Sequence, residues 1–325
     1  MAQRRQKSNA NGVVAPPEIP RSARDKLKRS GVVALVGRPN AGKSTLLNRI
    51  LGQKVSIVSA KPQTTRNRIV GILNDARGQI AFLDTPGIHK PLHKLNVRMM
   101  DHVRSSLAEA DVVALIVDAT EQFGRGDQFA LDLLREGVKG KRFAILNKID
   151  LLKKQKLLPL IQRYAETKLF DEIVPVSAAT GEGIEELLDL FFKTVAPGEP
   201  LYSREDYTTQ PERFFAAEIV REKLLQHAGD ELPYTTAVSV DRWEEEEDKN
   251  LIKIYATIVV ERESQKPIVI GKGGDMVKRI GTESRIELES ILGARVFLDL
   301  HVAVHERWRD DQRFLGELDW PLGER

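Results

Sequence analysis

The 325-residue sequence contains no cysteine. Disulfide bonds, thiolate metal sites and cysteine nucleophiles are therefore excluded, and the composition is compatible with a reducing compartment. The sequence also lacks any apolar run near the ~18 residues that a membrane-spanning helix needs. It has no apolar segment near the N-terminus that can act as a secretion signal. We therefore expect a cytoplasmic protein.

Positive and negative charges are unevenly distributed along the chain. The net charge is +3, but residues 205–325 contain 17 Lys/Arg and 26 Asp/Glu, which leaves 33 and 21 in residues 1–204. A basic first part can contact RNA or an anionic surface, whereas the acidity of the second part argues against nucleic acid over its whole surface. The length suits two domains. Residues 1–30 are polar and basic, and we predict that they form a disordered leader.

The most informative segment is residues 37–44, which read GRPNAGKS directly after the apolar run 32–36. The spacing G-x-x-x-x-G-K-[ST] after a strand predicts a loop whose backbone N–H groups point at the phosphates of a nucleotide. Lys43 would then lie at the β- and γ-phosphates, and the Ser44 hydroxyl would bind Mg²⁺. The predicted nucleotide-binding residues of this segment are Gly37, Arg38, Pro39, Asn40, Ala41, Gly42, Lys43, Ser44 and Thr45.

Six strand candidates alternate with helical patterns between residue 32 and about residue 195. This alternation predicts an α/β fold with a mostly parallel six-stranded sheet, and the turn-like residues 74–78 predict one antiparallel hairpin in it. Ligands bind at the carboxyl ends of strands in such sheets. The third strand ends in DTPG, where Asp84 can hold Mg²⁺ through water and the Gly87 N–H can contact the γ-phosphate. The nucleotide-binding residues predicted here are Asp84, Thr85, Pro86, Gly87 and Ile88.

The residues after the fifth strand, NKID, indicate which base is bound. A carboxylate such as Asp150 can accept both N1–H and N2–H₂ of guanine, a donor pair that adenine lacks. Asn147 can reach N7, and the stem of Lys148 can cover the ring face. After the sixth strand, residues 177–179 can place a backbone N–H at guanine O6. The predicted guanine-binding residues are Asn147, Lys148, Ile149, Asp150, Ser177 and Ala178.

In this order, the motifs resemble the translational-factor-related class of GTPases. The resemblance implies that residues 61–68, KPQTTRNR, are switch I, with Thr65 as the first candidate for sensing Mg²⁺ and Thr64 as the second. It also implies hydrolysis of GTP. The residues predicted to act in hydrolysis are Lys43, Asn40, Thr65 and Gly87, and those predicted to hold Mg²⁺ are Ser44, Thr65 and Asp84.

Two residues bear on the rate of hydrolysis. The residue after DTPG is Ile88, where Ras-like proteins have the glutamine that orients the attacking water. Isoleucine cannot orient water, so we expect slow intrinsic turnover; the alternative is that Ile88 only packs and turnover is ordinary. GTPases with asparagine at the position of Asn40 often use it to coordinate K⁺ beside the phosphates, where a cation can replace an arginine finger. The resemblance therefore implies K⁺-assisted hydrolysis.

The pattern after residue 197 predicts a second domain. Periodicity lapses over residues 198–211, which predicts a linker, and the helical and strand patterns then follow in the order α-β-β-α-α-β. Between the two central helices lies GKGG, a G-x-x-G loop that lets a nucleic-acid backbone approach closely. In this element order the loop resembles that of the KH RNA-binding domain of type II, whose third strand comes last. The predicted RNA-binding residues are Ile270, Gly271, Lys272, Gly273, Gly274, Lys278 and Arg279.

The charge around this loop differs from that of the whole domain. Residues 264–285 contain five basic and two acidic residues, so the predicted RNA-binding edge is basic within an acidic domain. Apolar residues that can line the groove are Ile268, Ile270, Val277 and Ile280, with core packing expected for at least two of them.

A GTPase domain followed by this type of KH domain resembles the Era family of proteins, from about residue 30 to residue 308. The resemblance implies binding of GTP and GDP, binding of 16S rRNA near its 3′ end, assistance in small (30S) subunit assembly, and some peripheral membrane contact. We predict a monomer with a leader at 1–30, a GTPase domain at 31–197, a linker at 198–211, a KH domain at 212–308 and a tail at 309–325.

Two other functions remain open at this point. One is an RNA-binding scaffold that holds GTP or GDP without turnover. The other is a GTPase that regulates membrane or cell-cycle events.

Overall fold

The computed structural model describes residues 29–318, except residues 62, 89–92, 228, 230 and 231. Residues 1–28 of the predicted leader and residues 319–325 of the predicted tail therefore lie outside the described residues. The first strand begins at Arg29, so the prediction of a disordered leader is wrong for Arg29 and Ser30. Arg29 is fixed there by two contacts of its Nη1, which donates to the backbone O of Val195 at 2.7 Å and of Lys193 at 2.9 Å.

The first part of the chain forms a six-stranded sheet in the order β2-β3-β1-β4-β5-β6. The strands are β1 Arg29–Gly37, β2 Ile69–Asp75, β3 Gly78–Asp84, β4 Val112–Asp118, β5 Lys141–Asn147 and β6 Glu172–Pro175. All neighbouring strands are parallel except β2 and β3, which form the predicted antiparallel hairpin. The predicted mostly parallel sheet is confirmed.

Helices cover both faces of this sheet because its strands are apolar on both faces. They are α1 Lys43–Leu51, α2 Lys94–Glu109, α3 Arg125–Gly137, α4 Leu157–Glu166 and α5 Ile184–Thr194. The apolar core on one face contains side chains of α1 and α5, and the core on the other contains side chains of α2 and α3. This arrangement leaves the carboxyl ends of the strands to form a binding edge.

The second part forms a three-stranded sheet in the order β7-β8-β9, in which β7 and β8 are antiparallel and β8 and β9 are parallel. Its elements are α6 Glu212–His227, α7 Leu232–Thr235, β7 Thr236–Glu246, β8 Leu251–Val260, α8 Lys266–Ile270, α9 Asp275–Leu292, β9 Arg295–Val304 and α10 Gln312–Leu318. The predicted order α-β-β-α-α-β is confirmed, with α7 and α10 as additional short helices.

The predicted linker lies along the exposed edge of the first sheet. The N–H of Ile72 in β2 donates to the backbone O of Tyr207 at 2.9 Å, and Thr208 Oγ1 donates to the backbone O of Val70 at 2.7 Å. Beyond the linker, Phe214 and Phe215 of α6 are buried in the same apolar core as α1 and α5. The second domain therefore packs directly on the first. Within the described residues, no helix is long and apolar enough to cross a membrane.

Candidate functional site

The loop between β1 and α1 has the shape that the motif predicts. Gly42 has a φ of 95°, a left-handed conformation that favours glycine. A Cβ at this position would lie 2.2 Å from Nδ2 of Asn147, so the residue has no room for a side chain. Helix α1 begins immediately afterwards at Lys43, and its first N–H groups face the edge where a ligand binds.

Lys43 is the buried cation of this loop and is only 6% exposed. Its Nζ donates to the backbone O of Gly37 at 3.3 Å and of Arg38 at 3.1 Å. Burial lowers the pKa of Lys43 to about 8, and the nearby Asp84 carboxylate opposes this shift. A phosphate group can replace the two carbonyl oxygens and pair with the ammonium directly.

Three residues predicted to hold Mg²⁺ lie together. Ser44 Oγ donates to Asp84 Oδ2 at 2.7 Å and lies 2.9 Å from Thr65 Oγ1. Ser56, which the sequence did not single out, donates from Oγ to the same carboxylate oxygen at 3.0 Å. Asp84 is fully buried, and burial raises its pKa while Lys43 and the neighbouring hydroxyl groups oppose the shift.

The geometry of this cluster fits Mg²⁺. Adjacent ligands of an octahedral Mg²⁺ at about 2.1 Å lie about 3 Å apart, which is close to the separation of the Ser44 and Thr65 hydroxyl groups. Within the described part of the chain, Asp84 Oδ1 is buried and has no hydrogen-bond partner, so it can accept from a metal-bound water. The same part contains no group of three or more His, Cys, Asp or Glu side chains that can hold a metal. The two hydroxyl groups and the carboxylate leave coordination positions that phosphate oxygens and water can fill.

A cavity of about 430 Å³ lies beside this cluster, between switch I and the phosphate-binding loop of residues 37–44, the P-loop. This volume is in the usual range for small-molecule sites. The predicted residues that line it are Pro39, Asn40, Gly42, Lys43, Ser44, Thr45, Thr64, Thr65, Gly87 and Lys148.

The structure separates the two threonine candidates of switch I. Thr64 Oγ1 donates to the backbone O of Lys61 within its own loop at 2.7 Å, whereas Thr65 Oγ1 reaches Ser44. Asn40 has a φ of 62° and donates from Nδ2 to the backbone O of Ala60 at 2.8 Å. The P-loop therefore contacts the residue just before switch I as well as Thr65 within it.

The DTPG residues differ in how they face the site. Thr85 is buried, and its Oγ1 donates to the backbone O of Leu35 at 2.8 Å, so its side chain supports β1. Pro86 is also buried. Gly87 lies against the P-loop, since a Cβ there would come within 2.8 Å of Pro39. Ile88 is 2% exposed and packs in the core, while its N–H donates to the backbone O of Gly37 at 2.9 Å.

The predicted guanine-binding residues form a cluster next to this cavity. Asn147 is buried; its Nδ2 donates to the backbone O of Ala41 at 2.9 Å, and its Oδ1 accepts from the Ala178 N–H at 2.9 Å. Asn147 therefore joins three loops. Asp150 Oδ1 accepts from Ser177 Oγ at 2.6 Å, which fixes the carboxylate, and Ile149 lies in the short turn that holds it.

Sequence reasoning missed two residues that support this cluster. Asp118, at the end of β4, pairs with Lys148 at 2.5 Å, and its place at the carboxyl end of a strand was a usable signal. Arg49, in the last turn of α1, donates from Nε to the backbone O of Ala178 at 3.1 Å and also donates to the backbone O of Ala179. No motif marks Arg49, because its acceptors are backbone carbonyl groups far along the chain.

Two arginines close to the site in sequence are bound elsewhere. Arg38 pairs with Glu121 at 2.9 Å and with Asp127 at 3.0 Å. Arg66 is buried, and its Nη1 donates to the backbone O of Thr236 at 2.7 Å. Neither guanidinium lies in position to act as an arginine finger.

The G-x-x-G loop lies between α8 and α9. Gly271 has a φ of 77°, and a Cβ there would lie 2.7 Å from the backbone N of Met276, so the turn requires glycine. Gly273 and Gly274 also have positive φ, while Lys272, Lys278 and Arg279 are exposed beside them. Ile280 is fully buried, Ile270 and Val277 pack against the same core, and Ile268 is 55% exposed. The expectation that at least two of these apolar residues serve the core is confirmed.

A phosphate loop, a cluster of hydroxyl and carboxylate groups that fits Mg²⁺, and the NKID residues at the next cluster lie on one α/β sheet, and together they define a P-loop GTPase. The glycine loop between two helices of the second domain defines a KH RNA-binding domain. Family descriptions agree: "50S ribosome-binding GTPase" matches residues 32–148 and "KH domain" matches residues 231–309. The curated relative "GTPase Era" of Geobacter metallireducens is 49% identical over 90% of this chain and 98% of its own. The chain therefore belongs to the Era family of GTPases, as its motifs predict.

Other relatives and solved structures agree with this assignment. "GTPase Era" of Staphylococcus haemolyticus is 43% identical over 90% of this chain and 97% of its own. The structure of a point variant of Aquifex aeolicus Era bound to GDP.AlF4⁻ is 40% identical, covers 89% of this chain and 98% of its own, and superposes with a TM-score of 0.85. A structure of Era in complex with MgGDPNP and nucleotides 1506–1542 of 16S ribosomal RNA is 40% identical to this chain. It covers 90% of this chain and 98% of its own, and it superposes with the same TM-score of 0.85.

Proposed function

We propose that this GTPase binds the 3′-terminal region of 16S rRNA through its KH domain and assists assembly of the small ribosomal subunit, under the control of its bound nucleotide. The observation that carries the proposal is the presence of both sites in one fold. Ser44, Thr65 and Asp84 form a metal cluster beside the phosphate loop, and the basic G-x-x-G loop lies in the attached KH domain. The Era relative solved with MgGDPNP and nucleotides 1506–1542 of 16S rRNA supports the choice of RNA. A ribosome assembly factor works in the cytoplasm, so a cytoplasmic location is part of the proposal.

Each residue of the site has a separate role in the proposed hydrolysis of GTP. Lys43 would hold the β- and γ-phosphates, and the hydroxyl groups of Ser44 and Thr65 would hold Mg²⁺ together with a water on Asp84. A magnesium ion held there would supply positive charge against the charge that develops on the phosphates. The hydroxyl of Thr65 belongs to switch I, so it reaches the metal only while that loop is closed.

The attacking water must be oriented by something other than Ile88, whose side chain is in the core. We propose that backbone groups, another residue or a partner orient this water, and that intrinsic turnover is slow because Ile88 cannot do so. Asn40 is the candidate ligand for K⁺ beside the phosphates. Its Nδ2 donates to the backbone O of Ala60, which fixes the orientation of the amide. This bond does not use Oδ1, the oxygen that would bind the cation.

Hydrolysis and RNA binding are tested separately. Multiple-turnover hydrolysis in KCl, with and without RNA, should be abolished by Lys43→Ala, because the phosphates lose their cation. A wild-type protein that binds GTP but never turns it over, even with RNA and K⁺, would instead be a nucleotide-holding scaffold.

For RNA binding, fluorescence anisotropy with an oligonucleotide of the 16S rRNA 3′ end compares the wild type with Lys272→Ala and Arg279→Ala. Each change should weaken binding and lower the slope of log affinity against log salt by about one. Arg313→Ala is the matched control, because Arg313 is on α10 with a side chain 92% exposed. Equal binding by all four proteins would contradict the assignment of this loop.

A further inference from the structure

The KH domain contacts both neighbours of Thr65. On one side, Arg221 of α6 donates from Nη2 to the backbone O of Thr64. On the other side, Arg66 Nη1 donates to the backbone O of Thr236, and its guanidinium lies over the ring of Trp308 at 5.5 Å. The residue predicted to sense the metal is thus held between two anchors in the RNA-binding domain.

These anchors are buried and already fixed in place. Arg221 is 3% exposed and Trp308 is fully buried. Arg221 also donates from Nε to Glu218 Oε1 at 2.7 Å and from Nη2 to Glu218 Oε2 at 2.6 Å, so its guanidinium has one orientation. A buried hydrogen bond from a charged donor is stronger than an exposed one, because water does not compete for the acceptor.

Glu222, the residue after Arg221, contacts the start of the segment 54–66, which leads into switch I. Glu222 is 3% exposed; its Oε1 accepts from the Val58 N–H at 2.9 Å, and its Oε2 pairs with Lys54 at 2.5 Å. Between Lys54 and Val58, the side chain of Ile57 is 3% exposed and packs in an apolar cluster of the KH domain. The segment 54–66 therefore follows the surface of α6 before it reaches the P-loop.

Simple packing between domains would not require these particular contacts. Arg221 and Glu222 bond to backbone atoms of residues 64 and 58, and such bonds fix the path of a loop rather than the area that it buries. The loop so fixed brings Thr65 Oγ1 to 2.9 Å from Ser44 Oγ. Positioning of this kind determines how often a ligand group meets its metal.

We propose that Arg221 and Glu222 are positioning residues for GTP hydrolysis, supplied by the RNA-binding domain. They hold switch I so that Thr65 reaches the magnesium site. This inference rests on the assignment of Thr65 to Mg²⁺ in the proposed function.

The test uses the full chain with Arg221→Ala, Arg221→Lys and Glu222→Ala. We measure single-turnover hydrolysis as a function of Mg²⁺ concentration, and the affinities for GDPNP and GDP. Both alanine variants should need about 10- to 100-fold more Mg²⁺ for hydrolysis, and should therefore hydrolyse GTP more slowly at limiting Mg²⁺; this is the range seen when groups that orient metal ligands are removed. GDP affinity should stay within about twofold of wild type, because Thr65 bonds the metal only in the GTP state. Arg221→Lys should recover part of the loss.

Controls separate positioning from folding. Arg213→Ala changes an exposed arginine on the same helix and should behave as wild type. Because Arg221→Ala leaves Glu218 without its partner, the double variant Arg221→Gln/Glu218→Gln removes the same contact in a chain with balanced charge. Folded Arg221 and Glu222 variants with a wild-type Mg²⁺ requirement and a wild-type ratio of GDPNP to GDP affinity would overturn the inference.

Thr65→Ala, measured in parallel, tells the two possible failures apart. If Thr65→Ala leaves the Mg²⁺ requirement unchanged, the metal assignment is wrong and the positioning role is overturned with it. If Thr65→Ala raises the requirement and the Arg221 and Glu222 variants do not, only the positioning role is wrong.

Discussion

The hydroxyl oxygens of Ser44 and Thr65 lie 2.9 Å apart, although Ser44 lies in the first turn of α1 and Thr65 lies in switch I. Ser44 is at the same time bonded to Asp84 at the end of β3. Three separate segments therefore meet at one point beside the phosphate loop. Movement of switch I away from the P-loop would break this meeting point, and in the proposed mechanism the position of Thr65 therefore reports the state of the nucleotide.

Replacement of Thr65 should have a much larger effect than replacement of its neighbour. Thr65→Ala removes the proposed metal ligand, and we expect GTP hydrolysis to fall about 10- to 100-fold with a higher Mg²⁺ requirement. Thr64→Ala removes only a bond within the loop, from Oγ1 to the backbone O of Lys61, and should change the rate by less than about threefold. Single-turnover hydrolysis across a Mg²⁺ titration measures both. A larger loss in Thr64→Ala would reverse the assignment.

The local motifs made much of the site predictable. The P-loop, DTPG and NKID each occupy consecutive residues, and the strand before each motif directs it to one edge of the sheet, as β1, β3 and β5 show. The family resemblance ranks Thr65 before Thr64, but the residues themselves do not separate the two, because the direction of each side chain depends on contacts with the rest of the molecule. Arg221 is 157 residues from Thr64 along the chain. It bonds to a carbonyl oxygen, a group that every residue has, so no residue type in switch I signals the contact.

The strand that begins at Arg29 shows another feature that the local sequence does not predict. Its first residues are polar and indicate a leader, yet Arg29 pairs with Gly78 in β3. Parallel pairing is decided by the partner strand, which a local sequence pattern does not contain.

Arg49 should support recognition of the base. Arg49→Ala removes the donors that hold the carbonyl groups of Ala178 and Ala179. We expect the Kd for GDP to rise about fivefold, which corresponds to the loss of one partly exposed hydrogen bond from a charged donor. The sequence predicts that a backbone N–H of residues 177–179 contacts guanine O6. The preference for GDP over the diphosphate of 2,6-diaminopurine riboside, which has an amine at that position, should therefore also fall. Titration with both nucleotides measures this preference.

The matched control is Arg135→Ala, which removes an arginine from an exposed pair with Asp132 on α3. A role for Arg49 in overall folding alone predicts that both nucleotides lose affinity equally, and that result would contradict a role in base recognition.

Nucleotide binding should be linked to protonation of Lys43. Burial lowers the pKa of Lys43 to about 8 in the nucleotide-free protein, and phosphates will raise it again. At pH 8 the terminal phosphate, with a pKa of about 6, is already deprotonated. Binding of GDP should therefore take up about half a proton at pH 8 and almost none through Lys43 at pH 6.5. Calorimetry in buffers of different ionisation enthalpy measures the uptake, and its absence at pH 8 would contradict the prediction.

The same pKa has a consequence for stability. The unfolded-state pKa is 10.5, so between about pH 8 and this value the unfolded chain binds more protons at Lys43 than the folded protein. The contribution of Lys43 to the free energy of unfolding of the nucleotide-free protein therefore increases as the pH rises through that interval. Bound GDP keeps Lys43 protonated and should remove the gain, which pH-dependent denaturation with and without GDP can measure.

Hydrolysis should depend on K⁺ through Asn40. The Nδ2 bond of Asn40 to the backbone O of Ala60 links this side chain to the residue just before switch I, so a cation held by Oδ1 would lie between the phosphates and the closed loop. We expect hydrolysis to be about tenfold or more faster in KCl than in NaCl at equal ionic strength, since a fixed charge beside the transferred phosphoryl group stabilises its transition state. Asn40→Ala should make the rates in the two salts equal. Asn40→Asp keeps an oxygen and should retain part of the K⁺ effect, whereas equal rates in both salts for the wild type would show that Asn40 serves only to hold switch I.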